Sequence, residues 1–199
     1  MVADGADDEA LAAQASRGQH DAFDALARRY QARIYRLASR MVGRDDAADV
    51  VQESFLAAYR HIGSFRQDAK FSTWLYRIAT NAALMHLRSR ARRPSESIEA
   101  FLPEFNTDGR HCATPEQLRI PADAEDRLDR AGLAAKAAAA LTRLPETQRS
   151  AFVLRDLEDL PTSEVAVILG IEPAAVRQRV HRARLVLRGM LNAMAGAAR

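Results

Sequence analysis

Aromatic residues make up only 6% of this 199-residue chain, so alanine, leucine and valine must fill most of any core. There is one cysteine, Cys112, which excludes an intrachain disulfide and fits a reducing compartment. No apolar run is long enough to span a bilayer: the alanine-rich stretch 134–141 is short and is interrupted by Lys136. The N-terminus opens on Asp4, Asp7, Asp8 and Glu9, the reverse of a cationic signal peptide, so a cytoplasmic protein without membrane insertion is expected. Phosphate-binding loop, HExxH and nucleophile-elbow patterns are missing. His111–Cys112 is the one tempting pair, but adjacent residues in a turn-rich stretch chelate a metal poorly. No enzyme activity, metal or cofactor is therefore expected, and Cys112 is either an inert thiol or a redox-sensitive one. Neither sign of charge dominates, the net being +3, so placement of the basic residues matters more than their number.

What is present is helix-forming sequence almost throughout. Near the C-terminus, residues 162–169 and 173–187 predict two helices joined by the tight turn Gly170, Ile171, Glu172. The second carries Arg177, Arg179, Arg182, Arg184 and Arg188, and its apolar residues Val176, Val180, Ala183 and Leu187 fall on one stripe. Arg177, Gln178, His181 and Arg182 then point away from that stripe. A supporting helix, a glycine corner and a basic second helix form the plan of a DNA-reading helix-turn-helix. A solvated basic face is the alternative. Upstream, an alanine-rich helix to Leu144 and a helix over 146–157 complete a second domain, 128–194. Pro145 and Pro173 suit first helical positions.

The first domain, 9–93, is expected to hold three long helices around one core. Phe23, Leu26, Tyr30, Ile34, Leu37 and Met41 form one stripe that Gly43 closes. Asp45 is the expected N-cap of the next helix, with Val51, Phe55, Ala58 and Ile62 inward and Gly63 at its end. The third helix is expected from Ser72 to about Arg92, burying Leu75, Ile78, Ala82 and Met85. Between the domains, residues 94–127 read as an acidic linker. Over 95–130 there are nine acids against four arginines, with Pro103, Pro115 and Pro121 breaking any periodicity. Phe101, Leu102 and Phe105 in it are either a docking segment or rest on a neighbouring domain.

Two polar constellations stand out in the first domain. On the third helix Arg77, Asn81, Leu84 and Arg88 are spaced four, three and four, and four arginines crowd its end. Phe65, Phe71, Trp74 and Tyr76 lie just upstream, around the loop that carries Lys70. Aromatics beside arginines suit unpaired nucleotides, although Phe65, Phe71 and Tyr76 are equally what a small core needs. On the preceding helix Asp45 and Asp46 suit the macrodipole, whereas Asp49, Gln52 and Glu53 lie where the dipole explains less and form a polar docking strip.

The run DAADVVQESFLAAYRHIGSFR followed by FSTWLYRIATNAALMHLRSRARR resembles the second conserved region of bacterial sigma factors. ALTRLPETQRSAFVLRDLEDLPTSEVAVILGIEPAAVRQRVHRARLVLRGML resembles their fourth region, and the short linker matches the extracytoplasmic-function type. The resemblance implies an all-α protein of two small helical domains that binds core RNA polymerase, directs it to promoters and melts the DNA. It implies that Asp49, Gln52 and Glu53 dock on the clamp helices of the largest polymerase subunit. Asn81 and loop 65–73, with Phe65, Lys70, Phe71 and Thr73, would capture a base flipped from the minus-ten element. Trp74 and Tyr76 would open the strands, with Arg77 and Arg88 on the same surface. Arg177, Gln178, His181 and Arg182 would read the minus-thirty-five major groove, with Arg155 and Thr162 near phosphates. Promoter DNA, duplex and single-stranded, and an anti-sigma factor are the implied partners.

Two positions depart from the pattern. Pro161 stands where serine is common, leaving Thr162 or Ser163 to cap, and Glu172 is a poor cap that brings negative charge near DNA. The competing reading is a helix-turn-helix repressor or activator that never joins polymerase. It leaves the first domain's aromatic and arginine-rich helix without a purpose.

Overall fold

A computed structural model describes residues 7–66, 68–90 and 130–196, and these residues form eight α-helices with no strand among them. Helix α1 (Asp8–Ser16) lies beneath α2 (His20–Val42), burying Leu11, Ala12 and Ala15. The α2 stripe is buried as its spacing predicts: Phe23, Leu26, Tyr30, Ile34, Leu37 and Met41 all face inward. Removing one such large side chain costs about 2–5 kcal/mol. Asp8 anchors α1 by accepting from Arg29 and from the Tyr30 hydroxyl, the latter at 2.5 Å.

Gly43, at φ +94°, both ends α2 and precedes α3 (Arg44–His61), so a single residue turns the chain. That leaves Asp45 inside the first turn of α3 rather than at its cap, where its charge still opposes the helix dipole. Helix α3 turns Ala47, Val50, Ser54 and Ala58 inward. The stripe is thus shifted by one from the expected Val51–Phe55 line, and those two residues are half-buried at its margin. A 3₁₀ turn, Ile62–Ser64, contains Gly63.

Helix α4 (Phe71–Arg90) begins one residue earlier than expected, and Glu9 from α1 accepts from the Phe71 N–H at 3.3 Å. Its buried side is Phe71, Leu75, Tyr76, Ala79, Ala82 and Ala83. Met85, expected inside, is 62% exposed, while Leu84 packs against the core. The expected continuation to Arg92, the arginines beyond Arg90, and the linker with Phe101, Leu102, Phe105, His111 and Cys112 fall outside the described residues.

In the C-terminal part, α5 (Arg130–Arg143) and α6 (Glu146–Phe152) precede a π-helical turn, Val153–Leu157. Pro145 is the N-cap of α6 rather than its first helical residue. Helices α7 (Thr162–Leu169) and α8 (Pro173–Gly196) meet at Gly170, whose φ of +63° is left-handed. The corner is therefore built as the sequence predicts, with glycine where a Cβ would be strained.

The two halves pack on one another. Helix α4 lies against α7 and α2 against α5, and one apolar cluster runs from Leu11 through Leu75 to Val165, Ile168 and Val176. Arg149 fastens the junction. Its guanidinium donates to the carbonyls of Met41, Thr142 and Leu144 at 2.5, 2.5 and 2.8 Å, satisfying the C-terminal ends of α2 and α5. Burial pulls the pKa of this arginine down, and the three acceptors offset the lost hydration.

Candidate nucleic-acid interface

Helix α8 presents its polar face to solvent because its other face is spent on the core. Val176, Val180, Ala183 and Leu187 are buried, and Arg177, Gln178, His181 and Arg182 are all exposed. The arginines of this helix divide by role. Arg184 is held bidentately by Asp156 at 2.7 and 2.8 Å, tying α8 to the π-helical turn rather than offering it to a ligand.

At the start of α7, Pro161 occupies the cap position and no side chain caps the helix, so neither Thr162 nor Ser163 takes that role. Thr162 is the first helical residue and half-buried. Arg155 reaches Asp159 at 3.6 Å, a contact one helical turn long at the surface. Glu172 is exposed at the corner, and its carbonyl accepts from the Val176 N–H.

The first domain carries a second polar face on α4. Arg77, Asn81 and Arg88 are all exposed, and their spacing puts them on one side of the helix. Arg88 stands 3.9 Å from Glu146 of α6. The neighbouring aromatics are stacked among themselves. Phe71, only 1% exposed, meets Tyr30 edge-on at 5.5 Å and Phe65 at 6.0 Å, while Trp74 lies 5.3 Å from Phe65. Phe71 is thus a core residue that fixes the loop, whereas Phe65 and Trp74 keep part of their surface free.

Other residues on this side are engaged by acids of the C-terminal half. Glu164 accepts from Lys70 at 3.0 Å and from the Thr73 hydroxyl at 3.3 Å. Glu158 accepts from Arg40 at 2.6 Å and from the Tyr76 hydroxyl at 3.0 Å. Burial, together with that carboxylate, pushes the Tyr76 phenol pKa up, so the hydroxyl stays a donor. Arg40, Arg149, Glu158 and Glu164 escape sequence reasoning because their significance lies in contacts across 82–118 residues of chain.

On α3, Asp49, Gln52 and Glu53 are all exposed. Asp46, beside them in sequence, is instead engaged by Arg90 and lies 3.4 Å from His86. A groove of about 840 Å³ runs between α2 and α3, lined by Tyr35, Arg36, Val51 and Gln52 among others. Among the described residues no group of acids, histidines or cysteines is arranged to hold a metal, and no helix is long and apolar enough to cross a membrane.

A basic reading helix on one half and an arginine–asparagine face beside aromatics on the other define a helical DNA-binding protein with two separate faces. Residues 26–93 match the sigma-70 region 2 family and residues 135–187 the sigma-70 region 4 family. The ECF RNA polymerase sigma-E factor of Salmonella typhimurium is 38% identical over 181 residues, covering 89% of this chain and 90% of the relative. That of Haemophilus influenzae is 39% identical over 181 residues, with 89% and 91% covered. Among solved structures, CnrH in complex with the cytosolic domain of CnrY matches with a TM-score of 0.65 at 28% identity, covering 94% of this chain and 97% of that one. The sigma factor RpoE in complex with the anti-sigma factor NepR from Bartonella quintana shares the fold at a TM-score of 0.57 and 23% identity, with 81% and 91% covered. The chain belongs to the sigma-70 family, in its extracytoplasmic-function branch. It is a sigma factor, which directs transcription by core RNA polymerase from promoter DNA.

Proposed function

We propose that the two faces divide promoter recognition between them. Residues 9–93 dock on core polymerase and capture the opened minus-ten strand, residues 128–194 read the minus-thirty-five duplex, and residues 94–127 connect them. Asp49, Gln52 and Glu53 dock on the clamp helices of the largest subunit. Asn81 receives an extruded base beside segment 65–73, the loop and first turn of α4, where Phe65, Lys70, Phe71 and Thr73 shape the pocket, while Trp74 and Tyr76 stand at the point of strand opening. Arg77 and Arg88 hold phosphates. The placement of Asn81 carries this reading: an exposed amide between two exposed arginines can hydrogen-bond a base edge while its neighbours neutralise the backbone.

Arg177, Gln178, His181 and Arg182 read the major groove, and Arg155 and Thr162 stand at flanking phosphates. This protein is an initiation factor rather than an enzyme, works in the cytoplasm and is held by an anti-sigma factor when idle. Run-off transcription from genomic promoter fragments with core polymerase tests the reading. Transcripts that require both core and this chain separate it from a repressor that binds DNA alone. Asn81→Ala should impair opening more than duplex binding, and Arg182→Ala should weaken duplex binding itself and lower its salt dependence. If the two variants behaved alike, the division would be wrong.

A further inference from the structure

Glu158 is an acid in the wrong place for a surface charge. Its side chain is only 5% exposed, and both of its carboxylate oxygens are used by the first domain: one by the Arg40 guanidinium at 2.6 Å, the other by the Tyr76 hydroxyl at 3.0 Å. Arg40 also donates to the Leu157 carbonyl at 2.9 Å, which fixes the guanidinium over the site. Arg33 and Arg36 precede Arg40 on α2 by seven and four residues, so the three share a face of that helix. Both pull the Tyr76 phenol pKa down electrostatically, against the larger effects of burial and Glu158, and Arg33 also lies over the Tyr30 ring at 5.5 Å. The first domain supplies cationic and hydroxyl donors here, and the C-terminal half supplies the anion. Asp159, at φ +53°, follows Glu158 directly, and this left-handed residue forms part of the corner that presents the carboxylate.

Such a donor set matches one ligand class. A guanidinium and a hydroxyl converging on two oxygens of one anion, with further arginines alongside, is how a phosphate diester is held. Tyr76 belongs to α4, the helix that carries Asn81, one residue before Arg77 and five before Asn81. Five residues set Tyr76 about 140° around the helix from Asn81, so a strand held at both would pass around α4 rather than along one face of it. Glu164, which engages Lys70 just before that helix and Thr73 in its first turn, repeats the arrangement a turn away.

We propose that the Arg40–Tyr76 pocket, flanked by Arg33 and Arg36, is a phosphate-binding site for the opened promoter strand, and that Glu158 occupies it as an intrachain stand-in. Strand capture and the packed arrangement of the two halves are then mutually exclusive. The proposal rests on the reading of α4 as the strand-capturing helix, and the experiment separates the two.

The test measures binding of fluorescent single-stranded oligonucleotides by the full chain and by its holoenzyme with core polymerase. The oligonucleotides are non-template-strand fragments of a promoter that the holoenzyme transcribes, with one phosphate at a time replaced by neutral methylphosphonate. Glu158→Gln should tighten binding by the free chain about three- to tenfold, since the competing carboxylate is gone. Arg40→Gln should weaken binding by the holoenzyme about fivefold and reduce the salt slope by about 0.7, the value for one single-strand phosphate. Arg40→Lys should recover most of that loss. One methylphosphonate position should weaken binding by the parent and have no further effect in Arg40→Gln. Tyr76→Phe, which keeps the buried ring, should reproduce the same position dependence on a smaller scale and guards against misfolding of the arginine variant. An unchanged free-chain affinity in Glu158→Gln overturns the stand-in. A methylphosphonate profile identical in parent, Arg40→Gln and Tyr76→Phe overturns the phosphate site. If Asn81→Ala weakens binding while Arg40→Gln does not, only the pocket fails. If neither does, the strand-capturing role of α4 fails with it.

Discussion

The two faces proposed to meet DNA stand in opposite states. On α8 the four reading residues are exposed along a single surface, and the one arginine tied to an acid, Arg184, points elsewhere. On α4, the residue just before it and the adjoining α2, Lys70, Thr73, Tyr76 and Arg40 are all engaged by Glu158 or Glu164. On the proposed reading, the duplex-reading face is exposed in the isolated chain, whereas the strand-capturing face is released from these acids only when the C-terminal half moves off. On that reading the chain meets double helix before it can hold a melted strand.

The junction that maintains this difference also offers the largest expected effect. Arg149→Leu leaves the Met41, Thr142 and Leu144 carbonyls without their donor in a buried place, so stability should fall by about 3 kcal/mol. Urea denaturation measures it. A loss below about 1 kcal/mol would mean that water replaces the guanidinium and that Arg149 is not the fastening.

Next in size is the reading face itself. Arg182→Ala should cost about 1–3 kcal/mol of duplex affinity, the range for one good base or phosphate contact, with no change in single-strand binding. Mobility shifts on a minus-thirty-five duplex against a minus-ten single strand give both numbers. A parallel loss on the two probes would erase the contrast between the faces.

A smaller effect is expected where the halves meet at the surface. Lys70 is mostly solvated, so its pair with Glu164 contributes at most about 1 kcal/mol, less in salt. Glu164→Gln should therefore leave the thermal midpoint nearly unchanged. It should still raise free-chain affinity for a single strand by about two- to fivefold at low salt. No gain would show that this acid is structural only.

The helix-turn-helix was almost fully legible in the sequence because its signals are local. Gly170 marks the left-handed corner, Pro173 starts α8, and the Val176–Val180–Ala183–Leu187 stripe orients it. The first domain's α2 was legible for the same reason, its stripe running unbroken over five turns. Helix α1 was not singled out, since nine residues give too few turns for a stripe to declare itself. Asp45 was misplaced as a cap because Gly43 closes one helix and opens the next within a single residue. The contact between the halves was illegible for a different reason. Glu158 and Glu164 look like ordinary surface acids, and only the fold brings Arg40, Lys70 and Tyr76 to them.

The smallest effect sharpens the comparison at the level of neighbouring residues. The sequence pattern assigns Met85 to the buried side of α4 and Leu84 to the polar one, but Met85 is 62% exposed and Leu84 packs on the core. A helix that borders three main packing partners, α2, α3 and α7, buries a wider arc than a single stripe predicts, and its exposed arc shifts accordingly. Met85→Ala should then change stability by no more than about 0.5 kcal/mol, as for any surface position, while Leu84→Ala should cost about 1–2 kcal/mol. Met85 also lies one turn beyond Asn81 on the exposed side. Substituting it should alter single-strand affinity at constant stability, and Leu84→Ala should do the reverse. If both variants moved stability equally, α4 would be rotated from the orientation on which the strand-capturing face depends.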